Sequence, residues 1–211
     1  YVGTGSLLGG VISAGTPIAC RRRERTQGTR LQPKTLGSMK TIALIGYRGT
    51  GKTTVARILA ERLRCNWIDA DVELERRAGC SIAEMFAQQG ESAFRDLETE
   101  VVDDLCDGSM RVLALGGGAV LRPENRQAIA RCETVVWLQA TADALFDRIA
   151  GDASTGQRRP QLTSLGERQE IESLLIKRAP FYRECATLTV DTEGKTPEEV
   201  AAELVEKLSL R

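Results

Sequence analysis

The chain has 211 residues, 42% of them apolar and 27% charged, and its 29 basic side chains cancel its 29 acidic ones. That composition suits one soluble globular domain with a sizeable core. Residues 39–211 alone carry 23 Lys/Arg against 28 Asp/Glu, which argues against nucleic acid as the main partner.

Residues 1–38 are rich in Gly, Ser, Thr and Arg and hold a single acid, Glu24. They show no helix or strand period and read as a disordered extension. The mildly apolar piece from Leu7 to Ala19 is too short to span a bilayer, and its charges follow it rather than precede it. The extension is either sequence upstream of a start at Met39 or an organellar transit segment. The first reading places the protein in the cytoplasm, the second in a plastid.

From Thr41 the pattern alternates. Thr41–Ile45 is an apolar run that suits a strand buried on both faces. Lys52–Arg64 carries a helical apolar stripe, and Trp67–Asp69 is a short second strand, with Trp67 expected to pack in the core. Ser81-Ile-Ala-Glu84 is a capping box for a helix that Gly90 closes, and Glu91–Cys106 is a longer helix after it. Val112–Leu115 and Thr134–Leu138 are further strands, separated by a helix from near Pro123. Leu188–Val190 is the last strand, and Thr196-Pro197-Glu-Glu199 caps a final helix with proline in its first position. Strands alternating with helices imply right-handed crossovers and a parallel sheet covered on both faces, a three-layer α/β fold. Gly151–Gly166 is a polar, dibasic loop of a length that is usually functional.

Gly46-Tyr-Arg-Gly-Thr-Gly-Lys-Thr53 lies between a buried-type strand and a helix. Its glycines let successive N–H groups and the helix N-terminus face an anion. In such a loop Lys52 reaches the outer phosphates and the Thr53 hydroxyl binds Mg²⁺. An acid near the metal is also needed. The strand Val112–Leu115 cannot supply it, because it runs into Gly116-Gly117-Gly118. Asp69-Ala-Asp71 is the other candidate, since i, i+2 spacing can aim both carboxylates the same way, one to the metal and one to an acceptor hydroxyl. The same two residues read equally as a turn residue and a helix cap, a role that Asp71 suits. The chain has no histidine, so catalytic proton transfer falls to a carboxylate, a lysine or the substrate itself. Its six cysteines, at 20, 65, 80, 106, 132 and 185, form no C-x-x-C pair, which argues against a zinc site or a disulfide framework. Three glycines after a strand permit close approach of a ligand, and Arg95 and Arg178 can clamp a carboxylate or phosphate bidentately.

Taken in order, GYRGTGKTT, DAD, FRDLE, LGGGAV, a loop with RRP, and RAPFY resemble the shikimate kinases from Met39 to about Leu208. The resemblance implies a five-stranded parallel sheet of the nucleoside-monophosphate-kinase kind with a mobile lid. It implies transfer of a phosphoryl group from ATP to the 3-hydroxyl of shikimate, with Mg²⁺, in the route to chorismate and the aromatic amino acids. On that pattern Gly49, Thr50, Gly51, Lys52, Thr53 and Thr54 hold the ATP phosphates, Asp69 touches the metal through water, and Asp71 binds a ring hydroxyl and acts as base. Arg95 and Arg178 hold the carboxylate, with Gly117 and Gly118 against the ring. Arg159 closes onto the phosphates, Arg148 lies over adenine, and Lys195 and Pro197 lie near its other side. The lid is a few residues longer than in compact family members and has Gln161 after Arg-Pro, which leaves Arg158 and Arg159 as alternatives. The implied partners are ATP and shikimate alone, with no nucleic acid and no membrane, for a monomer. A gluconate-type sugar-acid kinase and an inactive nucleotide-binding regulator are the rival readings.

Overall fold

The computed structural model describes residues 41–151 and 167–209. The expected extension 1–38, most of the 151–166 loop, and with it Arg158, Arg159 and Gln161, lie outside the described residues. In chain order the described elements are β1 (Ile42–Ile45), α1 (Lys52–Leu63), β2 (Asn66–Asp69), α2 (Ala70–Ala78), α3 (Ile82–Leu105), β3 (Arg111–Ala114), α4 (Pro123–Ile129), β4 (Thr134–Gln139), α5 (Ala142–Gly151), α6 (Glu167–Cys185), β5 (Leu188–Asp191) and α7 (Pro197–Ser209).

The strands form one parallel sheet in the order β2-β3-β1-β4-β5, with Leu44 of β1 paired to Ala114 on one side and Val136 on the other. The three central strands are apolar except at Arg111, Thr134 and Gln139 at their ends, and the period of two deals their side chains to opposite faces. Ile42, Leu44, Val112, Ala114, Val136 and Leu138 pack with Val55, Leu59, Val200 and Leu204 of α1 and α7. Ala43, Ile45, Leu113, Val135 and Trp137 pack with Phe94, Val101 and Val102 of α3, Ile129 of α4 and Tyr182 of α6. At roughly 1.5–3 kcal/mol for each fully buried large aliphatic or aromatic side chain, these two layers supply most of the drive to fold.

The outer strands are less covered. Trp67, in edge strand β2, is 38% exposed, which corrects the expectation of core packing: β2 has one neighbour only, and its central residues lie at the rim. The capping box at Ser81 is present, its backbone N–H donating to Glu84 Oε2 at 2.8 Å and its Oγ accepting from the Glu84 N–H at 3.2 Å. Gly90, at φ 79° and ψ 175°, breaks α3 into the two expected helices. Thr196 and Glu199 cap α7 in the same reciprocal way. One cap falls elsewhere: Asp69, not Asp71, caps α2, its Oδ1 accepting from the Asp71 and Val72 N–H groups at 2.9 and 3.3 Å. The sequence pattern assigns no element to 167–185, where α6 runs for 19 residues through Pro180.

Sheet order reverses direction at β1, since the chain goes from β1 to β2 on one side and later to β4 on the other. In such sheets the crevice beyond the carboxyl end of that strand is where ligands bind. The loop Gly46–Gly51 emerges there.

Candidate active site

The loop after β1 is held close by its own backbone and by the strand beside it. Gly46 sits at φ 142°, and a Cβ there would lie 2.5 Å from the Leu138 carbonyl oxygen, so no side chain fits between the loop and β4. Buried Thr50 donates from its hydroxyl to the Tyr47 carbonyl at 2.8 Å. Lys52 donates from Nζ to the Gly46 and Tyr47 carbonyls at 3.0 and 2.7 Å. The ammonium thus lies over the loop, with Gly49 covered by Ile149 of α5 and Gly51 forming the N-cap of α1. Thr53 and Thr54 are exposed in the first turn of α1.

The Thr53 hydroxyl donates to Asp69 Oδ2 at 2.6 Å. This contact joins the end of the loop to the end of β2 and brings two hard oxygen donors together, as a Mg²⁺ ion carrying waters and phosphates requires. The other Asp69 oxygen fixes the α2 N-terminus, so one carboxylate both orients the half-buried Asp71 and faces Thr53. No group of three or more His, Cys, Asp or Glu suited to hold a metal alone exists among the described residues.

The triple glycine meets three distant segments. A Cβ on Gly117 would lie 3.3 Å from the Arg48 N and 3.4 Å from the Gly46 carbonyl oxygen, which places this turn directly against the phosphate loop. A Cβ on Gly118 would lie 2.5 Å from Arg95 Nη1 and 3.1 Å from its Cζ, so the guanidinium lies where any other residue would put its side chain. The Gly117 carbonyl accepts from Arg178 Nη1 at 3.1 Å and from the Tyr182 hydroxyl at 2.5 Å. Arg178 and Tyr182 are four apart on α6 and so share one helix face. Arg95 and Arg178 therefore flank consecutive glycines, although 83 positions separate them in the chain.

Both arginines are buried and held. Arg95 Nη1 donates to Glu98 Oε2 at 2.7 Å, and its Nε and Nη2 to Glu91 Oε1 at 3.2 and 3.1 Å. Burial disfavours the Arg95 charge, but Glu98 and Glu91 outweigh it and hold the group above its ordinary pKa. The Arg178 guanidinium lies 5.6 Å from the Tyr47 ring centroid, within cation–π range. Tyr47 itself is buried, which raises its hydroxyl pKa against the opposing pull of Arg48 and Arg178.

On the other side of the loop, Arg148 of α5 donates from Nη1 to the Thr192 hydroxyl at 2.9 Å and from Nη2 to the Thr192 carbonyl at 2.6 Å. The Lys195 N–H bonds the same carbonyl at 3.3 Å, so Arg148 and the turn leading to Pro197 do come together. The Lys195 ammonium turns away, to Glu203 at 2.8 Å and the Asp191 carbonyl at 2.9 Å. Five residues assigned no role from the sequence take part: Glu91, Glu98, Tyr182, Tyr47 and Thr192. Glu98 and Tyr182 carried a signal, being three and four residues from an arginine inside quoted motifs. Thr192 carried none.

The shikimate kinase family model matches residues 48–209. A shikimate kinase of Rhodopirellula baltica is 43% identical over 162 residues, 77% of this chain and 87% of its own length. One from Symbiobacterium thermophilum is 42% identical over 170 residues, 81% of this chain and 97% of its own. Among solved structures, shikimate kinase from Acinetobacter baumannii in complex with shikimate superposes with a TM-score of 0.76 at 34% identity, covering 82% of this chain and 94% of its own.

Proposed function

The chain belongs to the shikimate kinase family, and we propose the following division of labour among its residues. The reaction is transfer of the γ-phosphoryl group of ATP to the 3-hydroxyl of shikimate, giving shikimate 3-phosphate and ADP, a step toward the aromatic amino acids.

Phosphoryl transfer asks little covalent chemistry of the protein, so positioning and electrostatics carry the rate. The loop amides of Gly49, Thr50 and Gly51, with Thr54 beside them, receive the phosphates, and Lys52 moves from the loop carbonyls to the transferring group. Arg148, anchored by Thr192, lies over adenine, with Lys195 and Pro197 on the far side. Arg95 and Arg178 grip the acceptor carboxylate while Gly117 and Gly118 give the ring room. Asp71 accepts the proton of the attacking hydroxyl. Arg159, outside the described residues, is assigned by resemblance the clamp on the developing charge.

Thr53 and, through water, Asp69 would hold a Mg²⁺ ion, whose charge would orient and neutralise the ATP phosphates. The catalytic domain spans 39–211, with 1–38 as an extension. No helix among the described residues is long and apolar enough to cross a membrane, and the acidic balance of 39–211 disfavours nucleic acid. We assign the enzyme to the cytoplasm, as a monomer acting on small molecules alone.

The observation that carries this reading is the 3.3 Å approach of a Gly117 Cβ position to the Arg48 N, which sets the acceptor turn against the donor loop. Asp71→Asn tests the proton assignment in a coupled ATP assay. Turnover of shikimate should fall by roughly 10²–10⁴-fold with ATP affinity unchanged and gluconate inert throughout. Full activity in the variant would remove Asp71 as the base.

A further inference from the structure

Two cysteines far from the phosphate loop face each other inside the core. Cys106 is the C-cap of α3, fixed by its N–H bond to the Val102 carbonyl at 3.1 Å. Cys132 follows α4, fixed by its N–H bond to the Ile129 carbonyl at 3.0 Å, one residue before Glu133 bonds Thr41. Their sulfurs are 3.5 Å apart, with the Cys132 S–H donating to Cys106 Sγ. Arg131 ties the two backbones together, Nη2 donating to the Asp103 carbonyl at 2.7 Å and to Asp103 Oδ1 at 2.8 Å. The cysteines are 1% and 6% exposed, so neither is a surface thiol that oxidants reach at random.

The cavity next to them is nonetheless one-sided. A surface cavity lined by Asp103, Asp104, Cys106, Asp107, Gly108 and Arg131 reaches Cys106 and not Cys132. Its carboxylates are each matched by an arginine: Asp103 by Arg131, Asp104 by Arg77 and Asp107 by Arg111. A small neutral reagent therefore enters without an electrostatic barrier. The thiol it meets is also the more acidic of the two. The Cys132 S–H pointing at it pulls the Cys106 pKa below its ordinary value, against burial and with help from Arg131. Cys132 is pushed up by the same partnership and by burial. The first is thus the nucleophile and the second the reserve.

We propose that Cys106 and Cys132 are a peroxide-oxidised dithiol site, in which Cys106 reacts first and Cys132 resolves it to a disulfide. In the first step the Cys106 thiolate attacks one oxygen of hydrogen peroxide. The O–O bond breaks, Cys106 becomes a sulfenic acid, and the departing hydroxide takes up the proton the Cys106 thiol released, leaving as water. In the second, Cys132 sulfur attacks Cys106 sulfur and the S–O bond breaks. The departing hydroxide takes the Cys132 proton, so two thiols and one peroxide give one disulfide and two waters. The sulfurs must close from 3.5 Å to a bond of about 2.05 Å. The crosslink encloses β3, the triple glycine and α4, so it staples the segment that carries Gly117 and Gly118 and restricts the unfolded chain. A dithiol reductant reverses it.

The test is on the full-length protein. It is treated with hydrogen peroxide, its thiols are alkylated under denaturing conditions, and it is digested without reduction for mass spectrometry. The expected product is a Cys106–Cys132 linked peptide, lost on reduction, with Cys20, Cys65, Cys80 and Cys185 alkylated, and a higher Tm for the oxidised protein. A dimedone adduct should appear at Cys106 in the Cys132→Ser variant and be absent from Cys132 in Cys106→Ser. If either serine variant does not fold, the alanine variant at the same position takes its place, and the wild-type mapping stands by itself. Alkylation of both cysteines after treatment that oxidises any other thiol would overturn the proposal, and an adduct on Cys132 in Cys106→Ser would overturn the order of attack.

Discussion

In the phosphate loop, eight consecutive residues from Gly46 to Thr53 supply backbone amides, an ammonium and a hydroxyl from one turn of chain. The acceptor pocket we propose beside it would take Asp71 from α2, Arg95 and Glu98 from α3, Gly117 and Gly118 from the turn after β3, and Arg178 and Tyr182 from α6. The loop is built of main chain and is fixed by what cannot fit, such as a Cβ 2.5 Å from the Leu138 carbonyl. The pocket is built of charged side chains, each fixed by a partner: Arg95 by Glu98 and Glu91, Arg178 by Gly117 and Tyr47. A local device recognises a phosphate wherever it occurs, whereas an assembled one selects a single acceptor. Damage to the two regions should consequently read out on different substrates.

The largest expected effect is on the donor side. Lys52→Met removes the one ammonium of the loop and should lower kcat by about a thousand-fold, measured by coupled ADP release at saturating ATP and shikimate. Retention of more than a tenth of wild-type turnover would place the charge stabilisation elsewhere. On the acceptor side, Gly118→Ala introduces a carbon that must displace the Arg95 guanidinium. A shift of that kind should cut kcat/KM for shikimate by about 100-fold while leaving the KM for ATP near wild type. A loss shared equally by both substrates would mean that the turn supports the phosphate loop rather than the pocket.

The smallest effect lies at the nucleotide's other end. Thr192→Ala deletes the hydroxyl that accepts from Arg148 and donates to the Gln139 carbonyl, a net change of about 1 kcal/mol and so roughly fivefold in the KM for ATP. The shikimate KM should not move, and a shikimate effect equal to the ATP effect would break the separation of the two regions.

How far the sequence discloses each region follows from the same contrast. The phosphate loop is legible because its residues are adjacent and its glycines have no other purpose at that spacing. The three central strands are legible because both faces are apolar. Trp67 misleads, because an edge strand leaves a large aromatic at the rim where composition suggests core. α6 is hidden by Pro180, which reads as a breaker yet sits within a helix whose face carries Arg178 and Tyr182 to the Gly117 carbonyl. Asp71 reads as the cap of α2 as easily as Asp69 does, and only the folded geometry shows Asp69 accepting the α2 N–H groups and the Thr53 hydroxyl. The anchoring of Arg148 by Thr192 depends on the geometry of two elements 44 residues apart, which no local pattern encodes.

The central claim is that the acceptor's carboxylate is gripped by side chains standing on α3 and α6 while the donor is held by the loop. Arg178→Lys keeps the charge but removes the planar fork. Initial rates should be measured with shikimate varied at saturating ATP, and with ATP varied at saturating shikimate. The account predicts a rise of about tenfold in the KM for shikimate, with the KM for ATP unchanged; an equal rise in both, or none in the first, would contradict it.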